Sequence, residues 1–343
     1  MEEKISYLAL SYNFKPPHKK VLTLYKKYKS FSKVFQLLEK EFKIKLDWEK
    51  EYLKLKNLGG EIILINEKVF PQELKFRQAF ILGIFILGEK NLNKFKEKIA
   101  IVGTRKPTKI GEKTAKNFSY ILTQNGLCLV SGLAYGIDLA AHLGSIEAGK
   151  ENIAVIGCGF DFILKDPRKK YLEKIIEVGG SIISEYPLKT PPLNYHFPLR
   201  NRIIAGLSKL VIIIEAPEKS GALITANFAL EYGKDVYALP GSIYEKNYLG
   251  NLKLIQEGAF LLISPEEILE VFGIRKNKKF VELKKEEEKI YQMIKEKPKS
   301  IEELIKESGL EVSQILKIIT SLEIKNLIFV KEGKYYSNEN YNY

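Results

Sequence analysis

Four turns in the central part of the chain contain small residues in a way that suits phosphate binding, and one of them also carries cations. Each turn follows a short apolar run, as expected where a buried parallel strand ends. The four turns contain Gly103-Thr104-Arg105-Lys106, Ser131-Gly132, Gly157-Cys158-Gly159 and Ser220-Gly221. Small residues leave backbone N–H groups accessible, and the dipole of a following helix favours an anion there. The spacing of these glycines is not that of a dinucleotide fingerprint, so we expect phosphate binding without a redox cofactor.

A second group of cations follows Pro198, where the pattern predicts the start of a helix. This group is Arg200-Asn201-Arg202. Cations near a helix N-terminus oppose the helix dipole, so their charge needs compensation. Two sources of compensation remain open: a carboxylate such as Glu185 or Glu215, or the phosphate of a bound ligand.

These segments together define the residues that we predict to bind phosphate. Thr225 is included because it lies in the first turns of the helix that Ser220 is expected to cap. The guanidinium of Arg105 presents five donors in one plane, a geometry that suits phosphate. The alternative is that Arg105 forms an ion pair with an acidic neighbour. The predicted phosphate-binding set is Gly103, Thr104, Arg105, Lys106, Ser131, Gly132, Arg200, Asn201, Arg202, Ser220, Gly221 and Thr225.

Three aromatic residues near the same turns are candidates for stacking on nucleobases. Tyr135 follows the turn at Ser131, and Phe160 and Phe162 follow Gly159. Aromatic faces stack on bases of any sequence, which suits a single-strand binder. The alternative for the two phenylalanines is that they anchor their loop in the core.

Asp138 and His142 lie four residues apart on a predicted helix and could form a general acid–base pair. The alternative is that they form local hydrogen bonds that fix the turn. The chain contains no Walker A sequence. We therefore expect no cofactor and no catalytic residue.

Seven short apolar runs predict parallel strands that are buried on both faces of a sheet. The runs are Ile99–Val102, Leu127–Val130, Ile153–Ile156, Ile182–Ser184, Leu210–Glu215, Val236–Leu239 and Phe260–Ile263. Helical patterns separate most of them, and right-handed crossovers then place every turn that follows a strand on one sheet edge. This pattern predicts an α/β fold with a doubly wound, mostly parallel sheet. A further run, Ile62–Ile65, is expected at the edge of the sheet.

The flanking segments predict two smaller domains. Residues 1–60 carry helical patterns such as Phe31 to Phe42 and predict a small helical (SAM/helix-hairpin-helix-like) domain, followed by the α/β domain over 61–273. A charged linker is predicted over 274–284. Residues 285–337 contain three helical segments and a hairpin, the pattern of a winged helix, whose third helix places Val312, Ile315, Leu316, Ile319 and Leu322 on one face.

The net charge of +13 is unevenly distributed along the 343 residues. Residues 1–98 carry 21 Lys and Arg against 12 Asp and Glu, whereas residues 99–274 carry 19 against 18. Nucleic-acid binding in the central region would therefore depend on a few placed cations. The alternative is that the lysines reflect general surface charging.

The sequence offers neither a metal site nor a membrane span. Cys128 and Cys158 lack metal-site spacing, and no run approaches the roughly 20 apolar residues of a membrane span. We expect no metal, no membrane and a cytoplasmic location.

Six motifs give the chain a resemblance to a known family. They are VGTR (102–105), SGLAYGIDLAAH (131–142), FPLRNRIIAGLS (197–208), EAPEKSGALITA (215–226), LPG (239–241) and GNLKLIQEGA (250–259). In this order they resemble the DNA-processing protein A family, also called Smf. The resemblance implies an extended Rossmann-like domain that binds single-stranded DNA, protects incoming strands during natural transformation and helps load the RecA recombinase. It also implies a homodimer formed through the central domain, with helical amino-terminal and winged-helix carboxyl-terminal domains.

Two alternative functions remain open. The first is a nucleotide phosphoribohydrolase on the same type of sheet, although the PGGxGT turn of such enzymes is replaced here by Ser220-Gly221-Ala222-Leu223-Ile224-Thr225. The second is a duplex-binding regulator that would insert the third helix of the winged helix into the major groove. The exposed side of that helix is expected to offer Glu311, Gln314, Lys317 and Lys325, few cations for duplex DNA.

Overall fold

The computed structural model describes residues 1–75, 81–274, 283–325 and 327–338. The chain forms two compact units, Met1–Ile274 and Arg275–Tyr343, each with its own hydrophobic core. Most of the predicted linker 274–284 lies outside the described residues. The division of the first unit near residue 60 stays a prediction. No helix in the described ranges is long and apolar enough to cross a bilayer.

The first unit begins with helices that pack on the sheet. They are α1 (Glu2–Asn13), α2 (Lys19–Tyr28), α3 (Phe31–Leu38) and α4 (Trp48–Asn57). The side chain of Ser30 caps α3 and that of Asp47 caps α4, each by accepting a backbone N–H three residues later. Phe31 is fully buried, as its helical spacing predicts. The helices share a core with the sheet, where the Tyr7 hydroxyl donates to the Gly83 carbonyl at 2.9 Å.

Nine strands of the described residues form one sheet. They are β1 (Glu61–Leu64), β2 (Gly83–Gly88), β3 (Lys98–Val102), β4 (Cys128–Ser131), β5 (Asn152–Ile156), β6 (Ser181–Ser184), β7 (Leu210–Ile213), β8 (Asp235–Ala238) and β9 (Phe260–Leu261). The spatial order is β1-β2-β6-β5-β4-β3-β7-β8-β9. All seven predicted strands are present with bounds within two residues of those predicted, and β1 lies at the edge as predicted. Burial is confirmed for six of them, but it is wrong for β9, because β9 is the last strand of the sheet and both of its residues are exposed. The strand β2 was not predicted; it pairs antiparallel with both β1 and β6, whereas the others pair in parallel.

Helices cover both faces of this sheet. After α4 they are α5 (Lys109–Gln124), α6 (Ile137–Glu147), α7 (Phe160–Ile163), α8 (Lys169–Glu177), α9 (His196–Leu207), α10 (Gly221–Glu231), α11 (Leu249–Gln256) and α12 (Pro265–Val271). Helices α5, α6 and α12 share a core on one face, and α8 with the first four helices covers the rest of that face. Helices α9, α10 and α11 pack on the opposite face. The sheet is therefore doubly wound, as the sequence predicts.

The strand order reverses between β3 and β7. From β3 the chain proceeds through β4, β5 and β6 to one side, whereas β7 pairs with the other side of β3 and is followed outward by β8 and β9. Loops that leave two such neighbouring strands diverge to opposite faces and leave a crevice at their carboxyl ends. In this chain those loops are the ones that follow Val102 and Ile213.

The second unit is a winged helix. Its elements are α13 (Lys285–Glu296), α14 (Ile301–Ser308), α15 (Val312–Ile324), β10 (Ile328–Lys331) and β11 (Lys334–Ser337). Of the five apolar residues predicted on one face of α15, Ile315, Ile319 and Leu322 are buried, but Val312 and Leu316 are exposed. The predicted face was too broad, because α13 and α14 cover only one side of α15.

Candidate nucleic-acid interface

A cleft of about 550 Å³ lies where the strand order reverses, at the carboxyl ends of β3 and β7. Nine of the twelve predicted phosphate-binding residues line it: Gly103, Thr104, Arg105, Lys106, Arg200, Asn201, Ser220, Gly221 and Thr225. Ser131, Gly132 and Arg202 are not among its lining residues. The structure thus brings together the turns after β3 and β7 with the beginning of α9.

The turn after β3 holds Arg105 in an exposed position. Gly103 is required by packing, since a Cβ there would lie 2.6 Å from the Ile137 side chain and 2.8 Å from the Glu215 carbonyl oxygen. The Thr104 amide donates to that same carbonyl at 2.7 Å. Beyond this fixed start, Arg105 and Lys106 are exposed. The Arg105 guanidinium lies 4.9 Å from the centre of the Phe197 ring, a cation–π arrangement that orients it at the cleft.

The carboxylate of Glu215 fixes the rest of this turn. It is fully buried and accepts hydrogen bonds from the Thr108 amide at 2.9 Å and the Thr108 hydroxyl at 2.5 Å. The Asn247 side chain donates to the same carboxylate at 2.9 Å and to the Lys106 carbonyl at 3.0 Å. The hydrogen bonds of the Glu215 carboxylate therefore hold the loop between Lys106 and Thr108 in place. The ion pair between Glu215 and an arginine of α9, which the sequence left open, is not observed.

Arg200 lies under the cleft, and its guanidinium is occupied by protein carbonyls. It is 3% exposed, and Nη1 donates to the carbonyls of Gly132 and Val155. Burial lowers the pKa of Arg200 to about 10, an effect that the charge of Asp138 opposes. The guanidinium therefore stays charged at neutral pH and adds positive potential to the cleft floor.

Arg202 makes a buried ion pair and does not face the cleft. Its Nη2 lies 2.5 Å from Oε2 of Glu185, and both side chains are almost fully buried. Of the two sources of compensation open from the sequence, the carboxylate is the one that the structure contains. The prediction that Arg202 binds phosphate is therefore wrong, because the helix α9 turns this residue into the protein.

The turn after β4 uses its donors internally. Ser131 is fully buried, and its hydroxyl donates to the Ile101 carbonyl at 2.7 Å. The Gly132 amide donates to the Asp138 carboxylate at 3.2 Å, and a Cβ at Gly132 would lie 2.1 Å from Nη1 of Arg200. The prediction of direct phosphate contact at Ser131 and Gly132 is therefore not supported. Gly132 is small because a buried guanidinium packs against it.

The N-terminus of α10 opens into the cleft. The Ser220 hydroxyl caps it by accepting the Ala222 amide at 3.2 Å, as predicted. Asn201 donates to the Gly221 carbonyl at 3.0 Å and so ties α9 to this turn. Gly221 has open space around it, and the exposed Lys219 precedes the cap. A helix N-terminus beside a lysine favours an anion.

The three predicted stacking residues differ in exposure. Tyr135 is 50% exposed and its ring lies 5.0 Å from the guanidinium of Arg168. Phe162 is 40% exposed and lines a smaller cavity of about 40 Å³ beside the cleft. Phe160 is fully buried in the core that α1, α3 and α4 share with the sheet. The prediction for Phe160 is wrong, because its ring anchors the loop and presents no face to a ligand.

Phe197 is an aromatic residue of the cleft that is not among the three predicted stacking residues. It lines both the cleft and the smaller cavity, and it carries the Arg105 guanidinium over its ring. Its position three residues before Arg200, in the FPLRNR segment, was the available signal. A single ring beside a cation and between two cavities is well placed to stack on a base.

Asp138 and His142 do not form an acid–base pair. The Asp138 carboxylate accepts the amides of Gly103 at 3.4 Å and Gly132 at 3.2 Å, and burial raises its pKa. His142 Nδ1 bonds to the Asn152 side chain at 2.7 Å, and burial lowers the pKa of His142 to about 4. The alternative of local hydrogen bonding is the one observed. Among the described residues, no group of three or more His, Cys, Asp or Glu could hold a metal ion.

Two family models match the chain. The model described as DNA recombination-mediator protein A matches residues 61–273, which contain the sheet and the cleft. The model of the DprA winged helix domain matches residues 280–334.

Individual relatives agree with these family matches. DNA processing protein DprA from Bacillus subtilis is 41% identical over 213 residues, 62% of this chain and 71% of that protein. Protein Smf from Escherichia coli is 39% identical over 217 residues, 63% of this chain. The aligned part spans only 58% of the length of the Escherichia coli protein.

Two solved structures resemble the chain. DNA processing protein A from Streptococcus pneumoniae superposes with a TM-score of 0.66 at 35% identity, covering 79% of this chain and 97% of that one. DNA processing protein A from Helicobacter pylori, whose structure was described for its single-stranded DNA binding mode, gives a TM-score of 0.53 at 29% identity. It covers 62% of this chain and 95% of that one.

Proposed function

The chain belongs to the DNA recombination-mediator protein A family, and from this premise we propose that it binds single-stranded DNA in the cleft between β3 and β7. The observation that carries the proposal is the placement of exposed cations around an aromatic ring. Arg105 stacks on Phe197 at one side of the cleft, and Lys219 precedes the N-terminus of α10 at the other. The solved Helicobacter pylori relative, described as a single-stranded DNA binder, supports the choice of ligand.

Two kinds of side chain at the cleft bind the strand: cations contact its phosphates, and aromatic rings stack on its bases. Arg105, Lys106 and Lys219 are the exposed cations for phosphates, and Gly103, Thr104, Asn201, Ser220, Gly221 and Thr225 shape the wall around them. Buried Arg200 contributes charge from below. Phe197 stacks a base, and Tyr135 and Phe162 stack further bases along the same sheet edge.

The size of the cleft favours one strand over two. A volume of about 550 Å³ falls within the range of about 300–1,000 Å³ typical of small-ligand pockets. A nucleotide or two fits such a space, whereas a duplex keeps the faces of its bases stacked on one another, so that they cannot stack on an aromatic side chain. The near-neutral charge of residues 99–274 also gives little diffuse attraction for a duplex.

The cellular role that we propose is the one that the family resemblance implies. The protein protects incoming single strands in natural transformation and helps load RecA onto them, which places it in the cytoplasm. It acts as a binding protein and not as an enzyme, since Asp138 and His142 are each engaged in local hydrogen bonds. It does so as a homodimer: the edge strand β9 exposes Phe260 and Leu261 by about half, and a second copy would cover them.

The substitution Arg105→Ala tests the binding site. Loss of a charge-assisted phosphate contact and of the cation on Phe197 is expected to weaken binding of a fluorescent oligothymidine about tenfold or more in an anisotropy titration. Lys174→Ala is the matched control, because it removes one exposed cation from α8 on another part of the surface. Equal affinities of the two variants would refute the proposed cleft.

A competition titration tests the preference for single strands. Unlabelled single-stranded oligonucleotide is expected to displace the probe at a much lower concentration than the matching duplex. Equal competition by the duplex would favour the regulator hypothesis instead. Release of free base from nucleoside monophosphates would favour the phosphoribohydrolase.

A further inference from the structure

The loop between β8 and α11 is anchored beside the cleft. A Cβ at Gly241 would lie 2.1 Å from the ring of Tyr248, so the start of the loop rests directly on this ring. Burial and the charge of nearby Glu215 raise the pKa of Tyr248 to about 12. Asn247 lines the cleft and donates to both Glu215 and the Lys106 carbonyl. The base of the loop is thus part of the same hydrogen-bonded network that holds the turn after β3.

The tip of this loop presents apolar side chains to solvent. Tyr244 is 89% exposed and Ile243 is 67% exposed. The backbone at the tip is nevertheless well defined, because the Ser242 hydroxyl accepts the Tyr244 amide at 3.2 Å and the Ser242 carbonyl accepts the Glu245 amide at 3.0 Å. The exposure of Tyr244 therefore comes from a structured turn and leaves its ring available to a ligand.

The position and size of the tip indicate what contacts it. Tyr244 is three residues from Asn247, so it lies within roughly 11 Å of the cleft wall along the chain, a span that one or two nucleotides cover. Two exposed lysines lie next to Asn247: Lys246 is its neighbour in the chain, and Lys106 contacts it through its backbone carbonyl. One ring and one isoleucine are far smaller than the roughly 800 Å² per partner of a stable protein interface, but they match the face of one base.

We propose that Tyr244, backed by Ile243, stacks a nucleobase of a strand that leaves the cleft past Asn247. The inference rests on the proposed function and extends it, because it adds a base contact outside the cleft. It predicts that the binding site is longer than the cleft and that its outer end lies on the β8 side of the sheet.

Oligonucleotide length separates this contact from those in the cleft. Tyr244→Ala is expected to weaken binding of a single strand of about 20 nucleotides at least fivefold and to leave a strand of about 4 nucleotides unaffected. Tyr244→Phe keeps the ring and is expected to keep the affinity. Tyr120→Ala, which removes an exposed tyrosine from α5, is the matched control. Unchanged affinity of Tyr244→Ala for the long strand would overturn the inference.

Two further measurements separate a failure of the cleft from a failure of the proposed Tyr244 contact. Arg105→Ala weakens both lengths if the proposed function is right, so loss of that effect identifies a failure of the cleft and not of the loop. In a Trp48→Phe background, which removes the one tryptophan of the chain, Tyr244→Trp is expected to lose fluorescence as the long strand binds. Unchanged emission, or a change of oligomeric mass of Tyr244→Ala in light scattering, would show that the tip does not stack a base.

Discussion

The turns after β3 and β4 look alike in sequence but differ in what they do. Both place small residues between a buried strand and a helix, yet the first presents Arg105 to solvent and the second buries Ser131. The difference is their position in the sheet. The turn after β3 borders the crevice where the strand order reverses, whereas the turn after β4 is covered by Arg200 of α9. Turn composition therefore indicates a phosphate site only where the topology leaves a crevice.

Arg202→Ala gives the largest effect, and it acts on stability. Removal of the guanidinium leaves the Glu185 carboxylate buried without its partner, which costs about 3–5 kcal/mol. Thermal unfolding is expected to show a much lower Tm than for Arg105→Ala, whose side chain is exposed. DNA affinity of the folded fraction stays close to that of the unsubstituted protein. A folded Arg202→Ala protein with normal Tm and lost affinity would reverse the roles given to the two arginines.

Acidic pH is expected to lower the free energy of unfolding, because His142, beneath the turn after β4, is buried. Burial lowers the pKa of His142 to about 4, and it also lowers the pKa of His18 and His196. The unfolded chain therefore binds more protons between about pH 6.5 and pH 4, and stability falls as pH falls through this window. His142 alone accounts for about 3 kcal/mol by pH 4, of which about 2 kcal/mol is lost between pH 7.5 and pH 5. Chemical denaturation at pH 7.5 and pH 5 measures the loss, and His142→Gln is expected to flatten it; equal stabilities would contradict this assignment.

Gly132→Ala tests whether the glycine of the β4 turn serves packing. Its Cβ would displace the guanidinium of Arg200 from two carbonyls, and lost hydrogen bonds to a charged group cost about 1.5–3 kcal/mol. Gly221→Ala is the matched control in the cleft, since a Cβ there meets open space. Thermal melts are expected to separate the two variants. A Tm of Gly132→Ala equal to that of Gly221→Ala would remove the packing argument.

The smallest expected effect is a change in the salt dependence of DNA binding. Each phosphate neutralised on a single strand contributes a slope of about −0.7 in a plot of log affinity against log salt concentration. Lys106→Ala or Lys219→Ala is expected to reduce the slope by about that amount each, whereas Lys174→Ala leaves it unchanged. Anisotropy titrations at several salt concentrations measure it. Equal slopes for all of these proteins would mean that the cleft cations do not contact phosphate.

Much of the fold could be predicted because its signals are local. Short apolar runs in the sequence indicate seven of the strands, and the three helices and hairpin of the winged helix follow from spacing and turn residues. The strand β2 was missed because Gly83 interrupts its apolar run and its antiparallel partners are distant in sequence. Pairing of that kind is decided by tertiary packing, which a single sequence does not display.

The site was predicted less completely, because it depends on which way each side chain faces. Arg200 and Arg202 are two residues apart, yet one lies under the cleft and the other is paired with Glu185. The spacing placed both near the ligand and could not decide which of them a carboxylate would neutralise. Phe197 was overlooked for the same reason, since only the packed structure sets its ring beside Arg105.

Crosslinking tests the location of the DNA most directly. A single strand containing 5-iodouracil is bound to the full chain, irradiated and digested, and the attached peptides are identified by mass spectrometry. Attachment is expected at the aromatic residues of the sheet edge, with Phe197 foremost and Tyr135, Phe162 and Tyr244 in longer strands. Attachment confined to the winged helix of residues 285–337 or to the helices of residues 1–60 would contradict the placement of the strand in the cleft between β3 and β7.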